Sequence, residues 1–168
     1  MEKQAINTEK STVKWIGKKI SGAHSGKISL KDGGLDFEDN KLTGGRFTMD
    51  MTTIGVEDVE GKTKEKFEGH LKSEDFFDVE NYPTSKLTIK QIAKKPGGYG
   101  IAADLKIKDT IKTVTFDLTV DEKEKLAEAD LVIDRTQYDI KFGSGNFFDD
   151  LGEALIYDDF QLNVKLSY

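Results

Sequence analysis

The side chains best suited to chemistry are few. His24 and His70 are the chain's two histidines, and a catalytic role for either requires a nucleophile to activate or a metal to hold. Cysteine is absent, which excludes disulfides, thiolate-bound zinc and a thiol nucleophile. His24 stands beside Ser25 in Gly22-Ala23-His24-Ser25-Gly26, read as a turn, and His70 lies near the end of a short helix. Each histidine has two readings: a polar contact for a ligand's head group at the mouth of a cavity, or a local bond, His24 to turn backbone and His70 to helix-end carbonyls. The local reading is the commoner fate of a lone histidine. No short His/Glu motif of metalloenzyme type is present, so no metal is expected. Gly44-Gly45 lacks the Lys-Ser/Thr of a phosphate loop, and Gly143-Ser144-Gly145 lacks the spacing of a nucleophile elbow. Asp149-Asp150 and Asp158-Asp159 are carboxylate pairs, but adjacent strand residues point to opposite faces and make no acid–base dyad by themselves. Arg135 has a choice between a buried carboxylate and a ligand's polar head, and the sequence does not decide it.

The most specific stretch is Gly69 to Pro83, GHLKSEDFFDVENYP. Elsewhere apolar residues recur at every second position. Here Phe67 and Leu71 are four apart, Ser73 can cap a turn opened by Glu74 and Asp75, and Phe76-Phe77 supply two adjacent rings. The spacing predicts a short helical insertion over about Thr63 to Val79. So much aromatic surface between strands suits a lid or plug for a β-structure with an interior.

The elements that must carry these residues are strands. Thr12–Lys19 alternates around Val13 and Trp15, Ile28 and Leu30 continue after the first turn, and Asp32-Gly33-Gly34 reads as a tight hairpin leading to Leu35 and Phe37. Glu38-Asp39-Asn40-Lys41 turns the chain into a strand with Phe47, Met49 and Met51 on one face. Beyond the insertion come Leu87 and Ile89, then the clean period-2 run Tyr99, Ile101, Ala103, Leu105, Ile107, then Val114, Phe116, Leu118, Val120. Asp121–Glu128 reads as a charged connection. Leu131 and Ile133, then Tyr138, Ile140 and Phe142, read as two short strands or one broken one; Phe147-Phe148 is a second aromatic pair, and Phe160, Leu162, Val164 and Leu166 close the chain. Residues 1–11 read as a flexible tail and 12–168 as one domain. The fold class is therefore all-β, with roughly eight to ten antiparallel strands. Alternation alone suits a barrel enclosing a ligand or a sandwich filled by side chains.

Composition narrows the function. Phe is abundant, ten against one Trp and three Met, and gives apolar area with no polar handle to satisfy. A formal net charge of −6 argues against nucleic acid, whose binding needs basic patches. No stretch is apolar and long enough to span a bilayer, so stable membrane insertion is not expected. Met1-Glu2-Lys3-Gln4-Ala5 opens no export signal, which gives a cytoplasmic location by default and a periplasmic one if a leader has been removed.

Several motifs in one order resemble the YceI family: Trp15-Ile16-Gly17, His24-Ser25-Gly26, Leu42-Thr43-Gly44-Gly45-Arg46-Phe47, Met49-Asp50-Met51, His70-Leu71-Lys72-Ser73, Phe76-Phe77-Asp78-Val79 and Tyr82-Pro83. The resemblance runs from about Thr12 to the C-terminus. It departs at Asp109, where the family usually has Gly, and matches only loosely around Arg135 and Tyr138. It implies a lipocalin-like antiparallel β-barrel of about eight strands that holds a long isoprenoid-type lipid, polyprenyl or quinone-type, without cofactor and without turnover. The expected ligand-binding wall is Trp15, Phe37, Phe47, Met49, Met51, Ile101, Leu105, Phe116 and Leu118. Phe67, Leu71, Phe76 and Phe77 form the gate, and His24 and His70 the polar mouth. An enzyme acting on a lipid in the same cavity, and a solid-core barrel serving as a protein-interaction module, are the rival readings; a homodimer stays open.

Overall fold

Strands with one apolar and one polar face must bury the first, and closing the sheet on itself buries it while removing both edges. The computed structural model describes residues 2–20, 22–145, 147, 151, 152 and 155–168. Its strands are β1 (Glu2–Ala5), β2 (Thr12–Lys19), β3 (Gly22–Glu38), β4 (Lys41–Val56), β5 (Thr84–Lys95), β6 (Gly98–Ile107), β7 (Thr110–Asp121), β8 (Leu126–Asp134) and β9 (Ile156–Ser167). Helix α1 (Gly61–Lys72) lies between β4 and β5, and a single 3₁₀ turn, Arg135–Tyr138, follows β8. Pairing runs β3-β2-β9-β8-β7-β6-β5-β4, and β4 returns to β3, so eight antiparallel strands close a barrel. The chain is a lipocalin-like barrel rather than a sandwich.

The chain reverses in tight hairpins where the sequence allows left-handed backbone. Asp39 (φ 50°) and Asn40 (φ 62°) make the two-residue turn between β3 and β4, the residue types that tolerate it best after Gly. At the β6–β7 hairpin, Ile107 opposes Thr110 and Lys108 takes the positive φ (57°).

Several expectations are corrected. Residues 2–5 are a strand and not a tail: β3 outruns β2, and β1 covers the remaining edge, pairing Gln4 with Leu35, while Ile6 is buried. Gly26 and Gly33 of β3 mark close approach rather than reversal: Gly22–Gly26, read as a turn, is already strand, and the hairpin lies earlier, with Lys19 opposite Gly22. A Cβ at Gly26 would land on the Gly55 carbonyl and the Trp15 ring, and one at Gly33 would stand 2.7 Å from the Phe47 ring. Asp32-Gly33-Gly34 is thus mid-strand, beside a register shift between Leu30 and Asp32. The helix spans Gly61–Lys72, shorter than expected; Ser73 Oγ donates to the His70 carbonyl (2.6 Å) and accepts from the Asp75 N–H (3.3 Å), ending α1 and opening an irregular turn that carries Phe76 and Phe77. Tyr138, Ile140 and Phe142 form no strand: Asp134 caps the 3₁₀ turn by accepting from the Thr136 N–H (3.0 Å), and the backbone leaves the sheet. The charged connection is also shorter than read, with β8 already running at Leu126. Phe147 is half exposed; Phe148 and the Asp149-Asp150 pair lie outside the described residues.

One end of the barrel is plugged. Phe37 stacks on Tyr168 (centroids 5.6 Å, 29° between planes), and the buried Tyr99 hydroxyl accepts the Leu42 N–H (3.2 Å). Helix α1 sits at the other end, bound to the wall by Glu68, whose Oε2 accepts the Val56 N–H at 2.9 Å.

Candidate functional site

Inside the barrel, between plug and helix, lies a cavity of about 630 Å³ with an overwhelmingly apolar lining. That volume falls within the range of sites that bury small ligands. Strand alternation places its wall: Trp15 from β2, Phe47, Met49 and Met51 from β4, Leu105 from β6, and Phe116 and Leu118 from β7 all face it. Residues of β8 and β9, among them Ala129, Leu131 and Leu162, complete it. The barrel is not packed solid.

The helix supplies the roof. Thr63, Lys66, Phe67 and His70 recur at helical spacing along the face turned to the cavity. Phe67 stacks near Trp15 (6.4 Å) and meets the His24 ring edge-on (4.7 Å), while Trp15 Nε1 donates to the Gly55 carbonyl at 3.1 Å. These contacts hold the roof against β2 and β4. Leu71, Phe76 and Phe77 line the cavity from the end of α1 and the turn after it. Phe76 packs against His70 (4.9 Å) and Phe142 (5.6 Å), and His70 also meets Phe142 edge-on (4.7 Å).

Both histidines line the cavity near this roof, yet each is held by a carboxylate rather than by backbone. His24 Nδ1 lies 2.9 Å from Asp58 Oδ2, and His70 Nε2 lies 2.9 Å from Asp75 Oδ2. Neither partner is a hydroxyl or a second cavity residue poised for attack. Among the described residues, no three His, Cys, Asp or Glu side chains are grouped to hold a metal.

Of the fifteen residues expected in the site, all but Phe37 and Ile101 line this cavity. Those two are buried in the core: Phe37 is part of the plug, and Ile101 lies two residues after Tyr99 on β6, toward the same plugged end. Alternation gives the face of a residue and not its height along the barrel axis, which explains both displacements.

Of the polar side chains in the lining, the sequence offered His24, His70 and, with its partner left open, Arg135; Ser85, the lysines and Asp159 were missed. Arg135 is 4% exposed and borders the cavity. Its Nε donates to the Tyr157 carbonyl (3.0 Å), Nη1 to Ile140 (2.9 Å) and Nη2 to Ile156 (3.1 Å), and its guanidinium lies 6.0 Å from the Phe76 ring centre. Burial pulls its pKa down, and the charges of Asp158 and Asp134 act the other way. Ser85 on β5 is 4% exposed and lines the wall, and its Oγ has no partner among the described residues. Lys18, Lys19, Lys66 and Asp159 border the mouth. The signal was parity: Ser85 shares the inward face of Leu87 and Ile89, and Arg135 that of Leu131 and Ile133.

A closed antiparallel barrel with one large apolar cavity, plugged below and roofed by a helix, defines the lipocalin-like class. The YceI-like domain model matches residues 4–168, so the chain belongs to the YceI family. The fold is similar to that of BcnA from Burkholderia cenocepacia (21% identity, 96% of this chain and 98% of that one, TM-score 0.75). It is also similar to a polyisoprenoid binding domain from Saccharophagus degradans implicated in plant cell wall breakdown (10% identity, 96% and 95%, TM-score 0.68). The YceI protein of Campylobacter jejuni matches at 19% identity over 83% of this chain and 81% of that one, with a TM-score of 0.60. A comparison with curated proteins returned no match.

Proposed function

We propose that this protein binds and carries a long-chain isoprenoid lipid, polyprenyl or quinone-type, inside its barrel, and turns over no substrate. The observation that carries the reading is the 630 Å³ apolar cavity beneath an aromatic roof. Each methylene moved from water into such a wall contributes about 0.8 kcal/mol, so one five-carbon isoprene unit contributes about 4 kcal/mol. Affinity then grows with the length of tail the cavity accepts, and the polar side chains at the roof end select the head. Two supports come from relatives: membership of the YceI family, and the Saccharophagus degradans neighbour, which is a polyisoprenoid binding domain.

Native mass spectrometry of protein purified from its own organism, followed by solvent extraction, tests the proposal. The expected result is a bound species that releases an isoprenoid on extraction. A protein that carries no lipid and takes up none from an added isoprenoid series would sink it.

A further inference from the structure

The Ser85 hydroxyl has no account in the fold. Buried polar groups find partners, because a hydrogen bond left unmade in an apolar setting forfeits the water the group has given up. Ser85 lines a cavity walled by Met49, Leu87 and Ile107, and its buried Oγ has no partner among the described residues. It sits one residue into β5, opposite Met49 and close to the roof. Arg135 borders the same cavity at the end of β8, also near the roof end, where Asp134 opposes Asp159 of β9. A guanidinium carries five N–H donors, and backbone carbonyls take one each from Nε, Nη1 and Nη2. Among the described residues, no carboxylate lies within ion-pair distance of Arg135, and two of its N–H groups have no acceptor. Beneath an apolar roof, two residues of the lining therefore hold unspent donors, and both lie toward the roof end, where a head group would sit if a tail filled the space below.

Resting on the isoprenoid-binding reading, we infer that Ser85 is a specificity-determining residue that hydrogen-bonds an oxygen acceptor on the ligand's head group, drawn inside the barrel to the level of Ser85 and Arg135. Arg135 can only donate, so the head must accept, and a purely hydrocarbon ligand leaves both groups unpaired. Two head chemistries supply such oxygens: a neutral carbonyl and a phosphate. The lysines at the mouth, Lys18, Lys19 and Lys66, favour the phosphate; the carboxylates near Arg135, Asp134 and Asp158, favour the carbonyl.

The test uses probes with one common tail: farnesene (hydrocarbon), farnesal (carbonyl) and farnesyl phosphate. Binding to delipidated full-length protein and to Ser85→Ala is measured by calorimetry, with the thermal midpoint of each protein recorded. Wild type should bind at least one oxygenated probe several-fold more tightly than farnesene, and Ser85→Ala should lose about 2- to 13-fold of that preference, the range for one neutral hydrogen bond. The thermal midpoint should not fall, since the hydroxyl has no partner in the protein to lose. Which oxygenated probe leads identifies the head as neutral or anionic. Equal binding of all three probes, or a preference that survives Ser85→Ala intact, overturns the inference while leaving isoprenoid binding standing. Failure of every probe to bind overturns the isoprenoid reading itself.

Discussion

Replacing Ala129 with Leu separates an open cavity from a filled core by the sign of its effect. Ala129 lies on β8 between Leu118 of β7 and Val164 of β9, and all three face the cavity. Leu adds three carbons. In a close-packed core such enlargement costs about 1–3 kcal/mol through strain. Here the added carbons enter free space of about 630 Å³ and bury apolar surface at about 0.8 kcal/mol per carbon. The ceiling is a gain of about 2.4 kcal/mol for the lipid-free protein. Those carbons occupy volume a tail would fill, so affinity for a cavity-filling isoprenoid should fall by at most about fiftyfold, the same free energy seen from the ligand's side. Urea denaturation of delipidated protein measures the first effect. Titration of farnesol, followed through the single cavity-lining tryptophan, Trp15, measures the second. A variant destabilised by more than about 1 kcal/mol that binds the lipid as before would refute the reasoning, because it would mean that Ala129 faces a packed interior.

Phe76→Ala with Phe77→Ala should speed lipid release from vesicle-loaded protein, compared at a temperature where the variant is still folded. The stability cost is at most about 3–5 kcal/mol per fully buried ring, with Phe76 (8% exposed) costing more than the half-buried Phe77. Unchanged release from the folded variant would mean that the rings seal the core without lining the path. Tyr138 is buried with an unpartnered hydroxyl, and burial pushes its pKa up to about 12 from an ordinary value near 10. A raised phenol stabilises the fold below the unfolded pKa and loses that contribution as pH climbs from about 10 to 12, at most about 2–3 kcal/mol. Tyr138→Phe should therefore be as stable as wild type or more so at neutral pH and show a shallower decline in urea midpoint above pH 10; an equal decline removes Tyr138 as its source. His24→Ala and His70→Ala should shift lipid affinity by no more than about 0.5–1.5 kcal/mol in titrations, one neutral hydrogen bond each. A lipid-modifying activity lost by two to four decades in either variant would instead assign an acid–base role.

The wall of the barrel was legible because its signal is local. Trp15, Phe47, Met49, Met51, Leu105, Phe116 and Leu118 obey period two, and that period fixes which side of a sheet each residue faces. Three kinds of information were not local. Gly33 looks like a turn residue, but its reason for being glycine is the Phe47 ring on the neighbouring strand, fourteen positions away by number and adjacent only after pairing. β1 forms because β3 is longer than β2, a mismatch that exists only once all three strands are laid side by side. Phe37 and Ile101 have the right parity at the wrong height, since depth along a barrel depends on the stagger between strands. Ser85 has the inward parity of Leu87 and Ile89, but a lone serine among apolar residues carries no signal of its own; Arg135 stood between a carboxylate and a ligand's head, and its actual partners, the carbonyls of Ile140, Ile156 and Tyr157, meet it only in the folded chain.

The plug at the Phe37–Tyr168 end makes the barrel a vessel whose door, among the described residues, is the roof. Nothing can be threaded through it. A tail that goes in must come out by the way it entered, past Phe67, Phe76 and Phe77, and whatever occupied the space before must leave against it. Loading is then an exchange whose pace belongs to the roof: adding more lipid outside raises the rate only until opening of the α1 end becomes the slow step. For the proposed carrier, a donor and an acceptor of the cargo would then meet the same face of the protein, taking turns there rather than both being engaged at once.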